Sequence, residues 1–255
     1  MTGSGNHTYL IVGSSRRATL IDAGVGEPRH LADLDTALAD TDARLERVLV
    51  THGHRDHASG APALAGVHPD AAFSKHPWPS EDEQYGVRWH TLNDGDEIRV
   101  GTETLVALHT PGHSPDHLAF WHEPTAAIFT GDLLVSGSSV MIHTSKGGNL
   151  AQYLASLERL RALAARVLYP AHGPRIDDPD LVISEYLSHR RHREHQVIDA
   201  LAAGHATVEA IADSIYDGLP SALMMAAREN VRAHLEKLRA EGRASADGDR
   251  WSTHG

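Results

Sequence analysis

The sequence contains no cysteine. That excludes a disulfide framework, thiolate-bound zinc and a cysteine nucleophile. No apolar run approaches the roughly 18 residues that a membrane span needs. The first ten residues, MTGSGNHTYL, have neither the basic start nor the apolar stretch of a secretory signal, so the expected location is cytoplasmic. Basic residues are in deficit: 23 Lys+Arg stand against 34 Asp+Glu, a formal charge of −11. This balance argues against nonspecific nucleic-acid binding driven by counterion release, and no duplex DNA partner is expected. Histidine, by contrast, is abundant, at 20 of 255 residues. Imidazole is the commonest metal-binding side chain. With so many present, a lone histidine carries no weight and spacing has to decide.

Along the first two thirds, short β-branched runs alternate with turns and helical patterns. His7–Val12 and Ala18–Ile21 read as a hairpin across GSSRR. Leu31–Leu38 is amphipathic, and Leu45–Val50 is a buried strand. Asp70–Ser74 is a weaker strand, and HPWPSEDEQYG reads as loop. Strands follow at Glu97–Val100, Thr104–Leu108, Leu118–Trp121, Ala126–Phe129 and Val167–Tyr169. Leucines at 150, 154, 157, 160 and 163 mark a helix over Asn149–Ala165. After Asp177 the texture is helical: a long helix, a short one, another long one, then a hairpin-like end. That order is the order of a winged helix. The predicted division is a catalytic domain at 1–176 and a winged-helix-like domain at 177–255.

The strongest signal is THGHRDH, which sets His52, His54, Asp56 and His57 directly after an apolar strand. Three further apolar strands end in glycine-containing loops: TPGHS with His113, FTGDL with Asp132 and YPAHG with His172. Sites in α/β sheets lie off the carboxyl ends of strands, so these loops are expected to converge. Five imidazoles and two carboxylates suit two borderline divalent cations, zinc first, with iron or manganese behind it. Two such ions can hold a bridging hydroxide and clamp the oxygens of a displacement. A carboxylate between them would offset their repulsion, and a second would orient the nucleophile. Asp56 and Asp132 are the catalytic candidates. His7, His30, His68, His76, His90, His109, His122, His143 and His189 are read as ordinary polar residues. His117, in SPDH, is intermediate, a candidate to touch substrate or a ligand.

On these motifs the sequence resembles the metallo-β-lactamase-fold hydrolase superfamily over about Gly5 to Arg175. The resemblance implies an α/β architecture, a four-layer αββα sandwich with the site along one edge. Carried over residue by residue, it implies His52, His54 and His113 on one metal, Asp56, His57 and His172 on the second, and Asp132 bridging. The tail, with EYLSHRRHRE ahead of the winged-helix pattern, resembles the β-lactamase-like protein 2 family. GNHTYLIVG resembles that family's strand GTNTYLVG, which normally has one or two strands before it. An edge of the first sheet is therefore expected to be short of strands.

The expected function is a dinuclear zinc hydrolase with two ions per chain. The family resemblance favours a phosphodiester, single-stranded RNA, as substrate. The acidic charge keeps a thioester as the alternative, in the manner of glyoxalase II or an acyl thioesterase. An iron-dependent persulfide dioxygenase stands behind both, because it would use one metal where this chain has ligands for two. A β-lactamase stands lower, since a bridging Asp132 is the pattern of the general hydrolases. From Arg175 onward the chain has 10 Lys+Arg and 14 Asp+Glu, and an Arg232–Glu236 pairing is expected on a solvated helix face. Packing, or the wall of a substrate groove, is therefore expected of the winged helix rather than DNA readout. Arg190, Arg191 and Arg193 form the one basic run placed to touch an anionic substrate or to cover the domain junction. The oligomeric state is open.

Overall fold

A computed structural model describes residues 5–137 and 139–254. Ten strands form two five-stranded sheets. The first holds β1 (Tyr9–Val12), β2 (Arg17–Ile21), β3 (Arg44–Leu49), β4 (Ala72–Lys75) and β5 (Trp89–Thr91), in that spatial order. Its strands β2 to β5 run parallel, and β1 closes the edge as an antiparallel hairpin partner of β2. The second holds β6 (Glu97–Val100), β7 (Glu103–His109), β8 (Leu118–His122), β9 (Ala127–Gly131) and β10 (Val167–Pro170), in sequential spatial order, with β9 and β10 parallel.

Alternation along the strands builds the layers. On β7 and β8, Leu105, Ala107, Leu118 and Phe120 face the first sheet, where they meet Ile21 and Leu49. Leu108 and Ala119 point the other way, against α5 (Leu150–Ala162). On the first sheet, Leu20, Leu45 and Val48 turn outward to α1 (Pro28–Asp40) and α3 (Ala61–Val67). The result is the four-layer αββα order, with one apolar layer between the sheets and one under each set of helices. Between β3 and α3 lies a single turn, α2 (Arg55–Ala58).

The segment read as loop at His76–Gly86 has local structure of its own. It contains α4 (Pro79–Asp82), followed by a 3₁₀ turn at Glu83–Tyr85. Strand β5, three residues long, was not legible: its WHT has no apolar alternation, because a short edge strand buries little. Caps mark the later helices where the sequence places them. Asn149 accepts from the Gln152 N–H at the start of α5, and Asp178, ahead of Pro179, does the same for Leu181 in α6 (Pro179–Ala202).

The C-terminal helices are α7 (Val208–Ile215) and α8 (Ser221–Ala240), followed by the hairpin β11 (Ala244–Asp247) and β12 (Arg250–Thr253). With the end of α6 they enclose their own core of Val197, Ile211, Val231, Leu235 and Trp251, the packing of a winged helix. Helix α6 serves both cores, since its first half contributes Ile183, Tyr186 and Leu187 to the sandwich. Among the described residues no helix is long and apolar enough to cross a membrane.

Candidate metal centre

Strands β2, β3, β7, β9 and β10 present their carboxyl ends at one edge of the sandwich. The residues expected from the sequence follow these ends, and the structure brings all seven together. They fall into three overlapping groups whose ligand atoms lie within 4.8 Å of one another: His52, His54 and His113; His52, His57 and Asp132; Asp56, His57 and His172. His54 Nδ1 stands 2.9 Å from His52 Nε2 and 3.0 Å from His113 Nε2. His172 Nε2 lies 3.3 Å from both Asp56 Oδ2 and Asp132 Oδ1. Asp132 spans the groups, with Oδ1 3.5 Å from His57 Nε2 and Oδ2 3.5 Å from His113 Nε2.

The outer ring nitrogens show how these imidazoles are aimed. His113 Nδ1 donates to the Met141 carbonyl at 3.1 Å and His172 Nδ1 to the Gly5 carbonyl at 2.9 Å. His57 Nδ1 lies 2.8 Å from Asp22 Oδ2, and His52 Nδ1 lies 3.1 Å from the Thr51 hydroxyl. In each ring this leaves Nε2 turned to the centre, the arrangement typical of metal-bound histidine. Two buried atoms there, His57 Nε2 and Asp132 Oδ1, have no hydrogen-bond partner. Unpaired buried polar atoms are costly, and a cation among them would satisfy both, so the donor set fits a metal.

The electrostatics divide the centre. Burial, then the neighbouring imidazoles, holds His52 and His113 below their usual value and His54 at about 4. That trio is neutral and ready to ligate. On the other side, the carboxylates of Asp132 and Asp56, close to its ring, raise His172 to about 10. Burial opposes the imidazolium of His57, but Asp22 and Asp132 carry it well above the usual value. Desolvation likewise opposes the Asp132 carboxylate, and His57 and His172 outweigh it to hold that group well below the ordinary range.

Asp22 was missed in the sequence. It follows β2 in LIDAG exactly as the other ligands follow their strands, so the same strand-end rule would have found it. It is 2% exposed, and besides His57 it accepts from the Thr51 N–H at 2.8 Å and the Thr51 hydroxyl at 2.9 Å. His117 is buried beneath the centre. Its Nε2 accepts from the Asp132 N–H at 3.1 Å, so Nδ1 carries the proton toward Thr110 Oγ1, 3.0 Å away. It steadies Asp132 and is not among the grouped ligand atoms. Gly131 makes room for it: the backbone there is left-handed, and a Cβ would stand 2.7 Å from His117 Nε2.

Other expectations change. Arg190, Arg191 and Arg193 do not form one face. Arg190 is 1% exposed, donates to the Val140 carbonyl and lies over the Tyr153 ring. Arg193 stacks on Tyr216, and Arg191 alone of the three is exposed, paired with Glu158 at 3.4 Å. At 100° per residue a helix wedged between two cores turns neighbouring side chains into different environments. Arg232 pairs with Glu229 rather than Glu236, which goes to Arg239. These residues line a groove of about 880 Å³ between α8 and the segment Thr144–Ala151. Three residues before that segment, the Met141 carbonyl accepts from His113 Nδ1.

Residues 1–172 match the metallo-β-lactamase superfamily, and residues 207–251 match the β-lactamase-associated winged helix domain. The chain belongs to the metallo-β-lactamase superfamily and is a hydrolase of that superfamily with a C-terminal winged helix. It is similar to a β-lactamase-like protein 2 homolog of Caenorhabditis elegans, 32% identical over 94% of this chain and 81% of that one. It is also similar to an atrochrysone carboxyl ACP thioesterase of Aspergillus fumigatus, 36% identical over 78% of this chain and 45% of the relative. A β-lactamase domain protein from Burkholderia ambifaria shares the fold over 97% of this chain and 86% of its own, with a TM-score of 0.80 at 21% identity.

Proposed function

We propose that this chain is a dinuclear zinc hydrolase acting on thioesters. In this reading His52, His54 and His113 would hold one ion, Asp56, His57 and His172 would hold the other, and Asp132 would serve both. The observation that carries it is the pair of buried, partnerless atoms, His57 Nε2 and Asp132 Oδ1, where the ligand groups meet. Imidazole and carboxylate donors without thiolate suit zinc. When bound, two such ions supply Lewis acidity and a water deprotonated at neutral pH.

The side chains do the rest. Asp132 turns one oxygen to each group and so offsets the repulsion of two cations. Asp56, at 27% exposed against 15% for Asp132, is the carboxylate open to an incoming molecule, and it orients the nucleophile. Trp78 stands 6.3 Å from the His54 ring and narrows the mouth.

Charge pairing supports the thioester class. Each cation of the groove has a carboxylate close by: Arg232 with Glu229, Arg239 with Glu236, and Lys237 with Glu194 and Glu241. Arg190 is buried as well, so these basic side chains offer a polyanion little unpaired charge. A neutral acyl group on a thiol suits such a groove better than a polyanion, and the thioesterase name of the Aspergillus relative supports the same class. Single-stranded RNA is the second reading, favoured by the presence of three basic side chains along that groove. We also retain residues 1–176 and 177–255 as the two domains, with α6 shared as a strut.

Metal analysis paired with an activity panel tests the proposal. Protein purified without added metal should hold close to two zinc ions. It should turn over an acyl-CoA or acyl-glutathione thioester faster than an aryl phosphodiester, single-stranded RNA or a cephalosporin. RNA cleavage without thioester turnover would transfer the function to the second reading. One tightly held iron and no zinc would overturn both.

A further inference from the structure

Behind the His52–His54–His113 group lies a buried lysine. Lys75 ends β4, next to the strand that leads into the metal loop, and its side chain is fully enclosed. Its ammonium donates to Asp82 Oδ1 at 2.5 Å and to the His76 carbonyl at 2.7 Å, and it forms an ion pair with Asp116 Oδ2 at 3.0 Å. A buried charge persists only where it is paired and hydrogen-bonded, and here it is both.

The two carboxylates lead to different parts of the centre. Asp116 Oδ2 also accepts the Gly53 N–H at 2.7 Å, and Gly53 is the residue between His52 and His54. The Gly53 carbonyl accepts from the Tyr85 hydroxyl, so both backbone polar groups of that residue are held by side chains. Asp82 Oδ2 accepts the Trp78 N–H at 2.8 Å, and Trp78 is the ring beside His54. A single cation therefore connects the backbone of the metal loop to the aromatic side chain at its mouth. Among the described residues no buried cation reaches the Asp56–His57–His172 group, which leans on Asp22, the Gly5 carbonyl and the Asn6 side chain on the Asp56 carbonyl instead.

We propose that Lys75 is a positioning residue, which sets the affinity of the His52–His54–His113 site through Asp116 and Gly53 and the placement of Trp78 through Asp82. Without its charge, the partly buried Asp82 and the buried Asp116 are two carboxylates with no cation between them. They separate, Asp116 releases Gly53, and the two histidines on either side lose their shared backbone anchor. The inference rests on the reading that this group holds one of two zinc ions.

The test is Lys75→Met in the full-length chain, titrated with zinc against a chromogenic chelator. One of the two ions should weaken by about ten- to a hundredfold, the cost typical of removing a group that orients a metal ligand, while the other keeps its affinity. General destabilisation would weaken both, and that outcome overturns the proposal, as would two unchanged affinities. Hydrogen exchange on the metal-free wild type provides a reading that no folding failure can block. The Gly53 amide should exchange as slowly as the strand amides of β3, because Asp116 holds it without metal. Exchange at the rate of an open loop overturns the proposal. Asp82→Asn cuts the other arm and should speed exchange at the Trp78 amide while two zinc ions still bind; an unchanged Trp78 amide overturns that arm. A wild type that binds no zinc would defeat the zinc reading, with the Gly53 measurement left to judge this one.

Discussion

Asp22 Oδ2 lies 2.8 Å from His57 Nδ1, and both side chains are closed to solvent, at 2% and 0% exposed. The contact joins the end of β2 to the turn after β3 and directs His57 Nε2 toward Asp132. Asp22 also holds the Thr51 N–H, so its removal orphans a buried donor as well as a buried imidazole. Asp22→Ala should lower the affinity of the Asp56–His57–His172 site by about ten- to a hundredfold. It should also cost about 3–5 kcal/mol of stability, the usual effect of removing one member of a buried ion pair. Zinc titration and urea denaturation measure the two; a variant matching wild type in both would leave His57 oriented by something else.

Asp132 is the only one of the seven whose two oxygens face different ligand groups. Asp132→Ala should reduce turnover by at least about a hundredfold and lower zinc content below two, because charge compensation and nucleophile placement fail together. Near wild-type turnover with both ions retained would remove Asp132 from its place between the metals.

The protonation pattern gives the metal-free chain a stability maximum. His54 falls from 6.5 to about 4 on folding, so its contribution is present above 6.5 and is lost as pH falls through about 4. His172 rises from 6.5 to about 10, so its contribution is present below 6.5 and is lost as pH climbs through about 10. Denaturation of the metal-free protein across this range should peak near pH 6.5. Zinc must also displace the His172 proton, so affinity at that site should climb with pH between 6.5 and about 10. Titration calorimetry in buffers of different ionisation enthalpy should record proton release at pH 7.5, and a buffer-independent heat would contradict the charged His172.

The sandwich should not survive a cut at its last strand. Ile183, Tyr186 and Leu187 of α6 are buried in the core under the second sheet. Each is worth about 1.5–3 kcal/mol of burial, and a domain's whole margin is only about 5–15 kcal/mol. A chain ending at Asp177 should be molten or insoluble, whereas one ending at Ala203 should keep a cooperative transition. Sharp thermal unfolding of the shorter chain would show that the strut is dispensable.

The ligand set was legible because a metal imposes strong local rules. His52, His54, Asp56 and His57 fall within six consecutive positions, and His113, Asp132 and His172 repeat one pattern of apolar strand, glycine and ligand. Periodicity also revealed most of the strands and the winged-helix order, while the layering was implied by the family resemblance. The residues that steady the ligands left weaker traces. An aspartate after a strand, such as Asp22, looks like any turn residue until His57 is found beside it. Lys75 reads as a solvated strand end, since lysine is rarely buried without a partner, and its partners Asp82 and Asp116 are far enough along the chain that only folding makes them neighbours.

The sequence by itself determined which atoms can bind metal, because donor chemistry belongs to the side chain and strand-end spacing brings those donors to one edge. Tertiary structure decided which charges remain free to meet a substrate. Arg190, Arg191 and Arg193 are adjacent in sequence, yet α6 lies between two cores, and its rotation buries the first, exposes the second and stacks the third on Tyr216. Lys237 is likewise paired with Glu194 of α6, a contact only the fold creates, whereas Arg232 and Arg239 pair with Glu229 and Glu236 one turn away on α8. Charge in a sequence is a sum over residues, but the field at a site depends on distance and burial, and those are set only when the chain has folded.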